Sequence, residues 1–221
     1  GRSTPAGWSL LRVDATNEGV IGAATGDVAV GGQGDDTLQG GAGGDGLQGN
    51  QGRDRLDGGD GADTIYGGKD DDRLLMGEGL NFGQGNLGQD EIWGGGGAET
   101  LLGGKENDVV HGEGGADFLN GNMADDLIFG GAGDDTIYGE GGSDTLWGGS
   151  GADAFHAFIG QGVDRVMDFS SAEGDRIVLR PGTAYSVVES GGDVIVSLAG
   201  QDQFVLAGVS LSSLTGNWIV A

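Results

Sequence analysis

The sequence predicts an all-β fold: a parallel solenoid with two nine-residue repeats per coil, closed at its C-terminal end by a small antiparallel sheet. Three observations carry that expectation. From Gly31 to His156 the chain keeps a nine-residue period, opening GGQGDDTLQ, GGAGGDGLQ, GNQGRDRLD, GGDGADTIY and GGKDDDRLL. Glycine supplies 53 of the 221 residues, yet the period is nine and there are only two prolines, which excludes collagen. One aliphatic or aromatic residue also recurs in each period, as a stacked solenoid requires and a disordered linker does not.

The N-terminal segment 1–21 lies outside the period. Trp8, Leu10, Leu11, Val13, Val20 and Ile21 form a short strand-like apolar set. It reads either as a cap over the open end of the solenoid or as the end of an upstream domain. The stretch GAATGDVAV, Gly22–Val30, is a worn first repeat with Asp27 in the acid position. From there to His156 the nine-residue frame never slips. Even MGEGLNFGQ, Met76 to Gln84, keeps its length, so it reads as a degenerate coil.

Within a nonad, glycines at places one, two and four supply positive φ and close backbone approach. Asn50, Asn86 and Asn122 stand at place two, where asparagine is the next-best residue for that conformation. Place eight holds Leu38, Leu47, Leu56, Ile65, Leu74, Ile92, Leu101, Val110, Leu119, Ile128, Ile137, Leu146 and Phe155. A turn of six residues followed by a strand of three, with one inward side chain, gives two short parallel sheets back to back. So thin a core does not offset the entropy of ordering nine residues, and something else must hold each turn.

Place six supplies it. Sorted by side, one column reads Asp36, Asp54, Asp72, Asp90, Asp108, Asp126, Asp144. The other reads Asp27, Asp45, Asp63, Asn81, Glu99, Asp117, Asp135, Asp153. Carboxylates stacked at the spacing of neighbouring strands repel one another unless a cation lies between them. A groove of carboxylate and carbonyl oxygens is what Ca²⁺ takes. Zinc or copper asks for His or Cys, and the chain has two histidines and no cysteine.

The net charge of −25 disfavours nucleic acid and anionic membrane as partners. No run is long and apolar enough to insert in a membrane. The first residues lack the plan of a Sec signal peptide, which fits a mature fragment or export by another route. Cysteine-free composition leaves the fold without disulfides. No HExxH, GxSxG or cysteine nucleophile is present. His111 and His156 read as surface residues, and any catalytic part is expected upstream of Gly1.

The repeats resemble the repeats-in-toxin (RTX) family of hemolysin-type calcium-binding repeats, as found in the C-terminal domains of serralysin-type proteases, secreted lipases and alginate epimerase modules. The likeness runs from Gly22 to Ala221. It implies a right-handed parallel β-roll over 22–156 and a C-terminal antiparallel cap with a type I secretion signal over 157–221. It also implies that each Ca²⁺ lies between turns n and n+2. The earlier turn gives the carbonyls of places two and four with its aspartate, and the later turn the carbonyls of places one and three with its own. One ion is then expected among Gly32, Gly34, Asp36, Gly49, Gln51 and Asp54. A second falls among Gly41, Gly43, Asp45, Gly58, Asp60 and Asp63, and another among Gly131, Gly133, Asp135, Gly148, Ser150 and Asp153. Asn81 and Glu99 put the three gaps touching them in doubt, which leaves about ten ions and brings the net charge to about −5. Asp70, Glu106 and Ala124 replace the glycine at place four and predict strained turns.

On the outer face, place nine of the intact side reads Gln39, Asp57, Leu75, Trp93, His111, Phe129, Trp147. The Leu75/Trp93/Phe129/Trp147 ladder reads as a surface covered by the protein's own cap or upstream domain, or as a dock for another protein. Beyond His156, VDRVMDF and GDRIVL resemble the family's junction, and AYSVVES, DVIVSLA and QFVLAGVSL alternate as strands. Asp164, Asp168 and Asp175 read as loop acids or as ligands of one more ion. The main functional expectation is a non-catalytic, Ca²⁺-triggered folding module. It supports type I secretion and stabilises a larger protein at the bacterial exterior or cell surface. A structural or adhesive surface component that assembles with Ca²⁺ is the second reading, and a helper module of a polysaccharide-acting enzyme the third.

Overall fold

The computed structural model describes residues 2–3, 10–12, 17, 19–22, 25–199 and 202–221. Trp8 and Val13 lie outside these. Among the described residues two sheets of 13 and 11 strands run along the molecule, here called sheet I and sheet II. Up to Arg176–Leu179 successive strands alternate between them, and within the repeats every neighbour in a sheet is parallel and 18 residues away, as in Thr37↔Arg55 and Gly46↔Thr64. Two nonads therefore make one coil, as the period predicts.

The strands are longer than expected. Thr37–Ala42, Arg55–Asp60 and Thr64–Lys69 each hold six residues. The pleat explains the difference: place eight points inward, place nine outward, and the glycine of the next place one inward again. That glycine is buried, so the chain stays extended through it before turning. The inward side chains are fully sequestered, Leu38, Leu56, Ile92, Ile128 and Phe155 among them.

The blurred repeat hides an exchange of volumes. Its place eight is Gly83 and its place one is Met76, which is wholly buried. A Cβ on Gly83 would lie 2.8 Å from the Met76 sulfur and 3.2 Å from Leu101 Cδ2. Met76 thus reaches from sheet I across the core to fill the hole opposite. The core stays continuous although the pattern at place eight lapses.

Both ends extend the stack. Leu10–Arg12 pairs with Val28–Val30 in sheet II, and Gly19–Ile21 pairs with Thr37–Gln39 in sheet I, both parallel. Past His156 the nine-residue frame ends but the coil does not. Val163–Val166 and Arg176–Leu179 add a parallel strand to each sheet, with Val166 opposite Leu146 and Arg176 opposite Ala154. Gln203–Leu206 then continues sheet I in parallel beside Val163–Val166, Asp193–Ser197 and Ser186–Ser190 follow it antiparallel, and Ile219–Val220 continues sheet II. The C-terminal antiparallel strands are present as expected, but as an extension of the roll's own sheet.

The Met76–Gly83 exchange predicts non-additive stability changes. Met76→Gly should cost about 2–5 kcal/mol through a cavity, and Gly83→Leu about 1–3 kcal/mol through overpacking, in denaturant unfolding with Ca²⁺ present. The double variant should lose less than the sum of the two. Strictly additive losses would show that the two residues do not share one space.

Candidate metal centre

Every place-six residue is buried, from Asp27 to Asp153 in both columns. Their carboxylates are tied together by a ladder of hydrogen bonds that runs with the coils. The backbone N–H of Asp36 donates to Asp54 Oδ1 at 2.7 Å, that of Asp54 to Asp72 at 2.8 Å, and that of Asp72 to Asp90 at 2.8 Å. Asp90, Asp108 and Asp126 continue the same bonds toward Asp108, Asp126 and Asp144. In the other column Asp45 donates to Asp63, Asp117 to Asp135 and Asp135 to Asp153.

One oxygen of each carboxylate is thereby fixed, and the other is not. Oδ2 of Asp45, Asp54, Asp63, Asp72, Asp90, Asp108, Asp117, Asp126, Asp135, Asp144 and Asp153 is buried without a hydrogen bond. Buried charge left in that state is costly unless a cation meets it.

The glycines show where the other ligands point. A Cβ on Gly59 would strike the Gly41 carbonyl oxygen, and one on Gly61 the Gly43 carbonyl, so places two and four direct their oxygens toward the next coil. A Cβ on Gly40 would lie 2.6 Å from the Gly58 carbonyl oxygen, and the Gly43 N–H donates to the Asp60 carbonyl at 2.7 Å, so places one and three point back. The same arrangement holds at the far end among Gly131, Gly133, Gly148 and Ser150. A Cβ on Gly40 would also strike Asp45 Oδ2, so the orphaned oxygen and the returning carbonyl share one space. Carbonyls and carboxylates alone converge there. This is an oxygen-only donor set that fits Ca²⁺. Among the described residues no group of three or more His, Cys, Asp or Glu side chains forms a metal site.

The eight non-glycine residues at positive φ among the described residues all fall at places two and four. They are Asn50, Asn86, Glu113, Asn122 and Glu140, and Asp70, Glu106 and Ala124. The strain expected at the last three is present, with φ of 72°, 69° and 82°.

Without a cation the columns resist ionisation. Burial raises Asp54, Asp90, Asp126 and Asp135 to about 7 and Asp72 and Asp108 to about 8. Neighbouring carboxylates add to the shift, and the accepted backbone hydrogen bond opposes it.

The second column breaks at one rung. Asn81 Oδ1 accepts from the Asp63 N–H at 2.9 Å, as an aspartate would, and the Glu99 N–H donates to Asp117 at 2.8 Å. Asn81 Nδ2 instead donates to its own turn's place-two carbonyl, Gly77, at 3.2 Å. No side-chain rung joins Asn81 to Glu99. Glu99 is buried, and burial followed by the charge of Asp117 raises it to about 7, opposed by the backbone N–H groups of Gly97 and Gly95.

Both columns also run one coil further than the repeats. The Asp144 N–H donates to Asp164 Oδ1, and the Asp153 N–H to Asp175 Oδ1, each at 3.1 Å. Asp164 and Asp175 are buried, and burial then Asp144 push Asp164 to about 8. Asp164 stands within the strand Val163–Val166, whereas Asp175 lies in the loop before Arg176, where its Oδ2 also accepts from the Ser170 N–H at 2.7 Å. Spacings of 20 and 22 residues, against 18, hid them from the period. Asp168 stands apart and accepts from the N–H groups of Gly148 and Gly149.

The histidines are not plain surface residues. His111 is stacked between Trp93 and Phe129 at 3.9 and 4.7 Å, and Phe129 stacks on Trp147 at 4.4 Å. His156 stacks on Tyr138 at 4.1 Å. Burial lowers the pKa of both.

Residues 21–55, 43–74, 76–110, 93–128 and 120–155 match the RTX calcium-binding nonapeptide repeat (4 copies), together well over half of the chain. The chain belongs to this family. Its repeats are calcium-binding repeats, and the roll is a non-catalytic structural fold. Among solved structures the chain is similar to the extracellular lipase LipA from Serratia marcescens, at 18% identity and a TM-score of 0.38. That match covers 98% of this chain and 42% of the lipase, so the chain spans less than half of that protein. It is also similar to the AlgE6R3 subunit of the Azotobacter vinelandii mannuronan C5-epimerase, at 28% identity, 69% and 78% coverage and a TM-score of 0.30. No curated protein matches.

For an RTX roll of this geometry, Asp90→Asn should lower the calcium bound per chain by about two ions, one from each gap it borders. Asn81→Ala should leave the number unchanged. Metal analysis after equilibrium dialysis measures both. Undiminished calcium in Asp90→Asn would remove the carboxylate from the ligand set.

Proposed function

We propose that this chain is the calcium-triggered folding and stabilising module of a larger secreted protein, exported by a type I route and folded outside the cell. The observation that carries this reading is the row of buried, unbonded carboxylate oxygens along both columns. A chain with such columns has no reason to compact where calcium is scarce. Where calcium is millimolar, binding energy becomes folding energy. Membership of the RTX family supports the secretion route.

The proposed ligand sets are those carried over from the resemblance, one example being Gly41, Gly43, Asp45, Gly58, Asp60 and Asp63. About ten ions are expected. The Asp144–Asp164 gap offers one more place. The roll over 22–156 holds the ions, the segment 1–21 and the part over 157–221 flank it, and catalysis belongs to whatever the module is attached to. The aromatic ladder spends its ring faces on internal stacking, which favours a self-stabilising role over adhesion.

Protons should partly replace calcium. The folded pKa values of Asp54, Asp72, Asp90 and Asp108 lie above the ordinary carboxylate value of 3.8, at about 7 to 8. The cation-free fold therefore holds more protons than the unfolded chain, and stability falls as pH rises through that window. Calcium-free chain should show β-type circular dichroism near pH 4, lose it by about pH 8, and regain it there when calcium is added. A β spectrum at pH 8 that survives complete calcium removal would sink the proposal.

A further inference from the structure

The outward face of sheet II differs in charge from the rest of the molecule. Its strands from Val28–Gln33 to Ala154–Ala157 carry one carboxylate, Glu140, in a chain with 35 acids. Glu140 is itself engaged by Gln161 Nε2 at 2.9 Å. The corresponding strands of sheet I carry Asp57, Asp60, Glu78, Glu91 and Glu113. Both lysines of the chain, Lys69 and Lys105, are exposed on sheet II, each in register with Leu87 between them. The ion pairs among the described residues all use arginines, so neither lysine is paired. Asp70 and Glu106, their sequence neighbours, are turned onto the backbone N–H groups of Gly52 and Gly88.

The amides at places nine and two of this face repeat every 36 residues, twice the coil, while at place three Gln33 and Gln51 stand in successive coils. At place nine Gln48, Gln84 and Asn120 alternate with Tyr66, Leu102 and Tyr138. At place two Asn50, Asn86 and Asn122 alternate with Gly68 and Gly104. Amides and lysines thus recur at roughly 9.6 Å, two inter-strand steps of about 4.8 Å. An open trough of about 390 Å³ already runs across one such unit, lined by Gln84, Asn86, Leu87, Lys105, Asn122 and others. The calcium columns do not need this second period, because place six repeats every coil.

We propose that the sheet II face binds an extended acidic polysaccharide lying along the roll. Side-chain amides donate to and accept from sugar hydroxyls, which carry both functions. The two lysines meet carboxylates one disaccharide-like step apart, and the near absence of acids spares the ligand the repulsion it meets elsewhere on a −25 chain. A duplex or single-stranded nucleic acid, with a charge on every nucleotide, asks for more cations than two. The face exists only on a folded roll, so the proposal rests on the calcium-dependent folding above.

The test is titration calorimetry of the full chain in millimolar calcium with uronate oligosaccharides of two, four and six residues. A neutral oligosaccharide and a thymidine oligonucleotide of matching length serve as comparisons. Circular dichroism in the same buffer first reports folding; a chain that stays unfolded in calcium fails the folding reading, and a folded chain that ignores the hexamer fails this one. Binding is expected to strengthen from dimer to hexamer and to weaken about tenfold in Lys69→Gln/Lys105→Gln. Asn86→Gly should weaken it further, since glycine already stands at place two in the neighbouring coils. The sheet I control Arg55→Gln/Arg73→Gln should leave it unchanged. Equal binding of the neutral sugar or the oligonucleotide, or no effect of the lysine variant, would overturn the assignment.

Discussion

Carboxylates stacked one per coil, about 4.8 Å apart and out of water, set the terms for everything else in this chain. At an effective dielectric of about 20, two such neighbours repel by roughly 3–4 kcal/mol. Each column multiplies that cost along its length. The hydrogen bond from one place-six N–H to the next carboxylate holds the oxygens in line, and so makes the repulsion worse while preparing the site. The rest of the turn answers it. Place-one glycines leave room for Oδ2, and positive φ at places two and four turns carbonyls into the gap. On the proposed reading a cation meets this cost, since the apolar core supplies only about one inward side chain per nonad.

The outside of the same turns shows what the chain does where no cation is meant to sit. At place five a second ladder runs in the opposite sense. The Arg53 N–H donates to Asp35 Oδ1, that of Gln89 to Asp71, that of Asp125 to Asn107, and that of Ser143 to Asp125. Here the acids Asp35, Asp71 and Asp125 are separated from one another by Arg53 and by Gln89 and Asn107, and Arg53 also lies 3.8 Å from Asp35. Like charges are interleaved on the solvent side and left uninterrupted on the inner side. The contrast separates a ladder whose charges are interleaved from one whose buried oxygens are left without a hydrogen bond.

Much of this was legible in the residues. A fixed period of nine with glycines at three places dictates stacking, two sheets and two acid columns, because every backbone constraint repeats with it. The length of the strands was not legible, since a buried glycine carries no hydrophobic signal and Gly40 reads as turn when it is strand. Asp164 and Asp175 were hidden for another reason: two- and four-residue insertions break the period while leaving the stack intact. The stacked rings at Trp93, His111, Phe129 and Trp147 were visible as a column, but their mutual shielding follows only from the 18-residue register.

The blurred repeat joins these threads. In an ordinary nonad a Cβ at place one strikes the turn's own aspartate, as at Gly40 with Asp45 and Gly67 with Asp72. A side chain at place one therefore competes with an acid at place six that keeps its free oxygen in the usual position. Met76 stands at place one in the only repeat whose place six is neither Asp nor Glu. There Asn81 supplies its own donor to Gly77, and Met76 supplies the volume missing at Gly83. Asn81 gives the turn a hydrogen bond where its neighbours present an unbonded oxygen, and Met76 gives it a larger share of the apolar core. On the proposed reading, this coil is closed by its core where its neighbours are closed by a cation. The second column is interrupted where this sequence takes the apolar way, and the first column, which lies 18 residues to the coil with Asp at every step, never does.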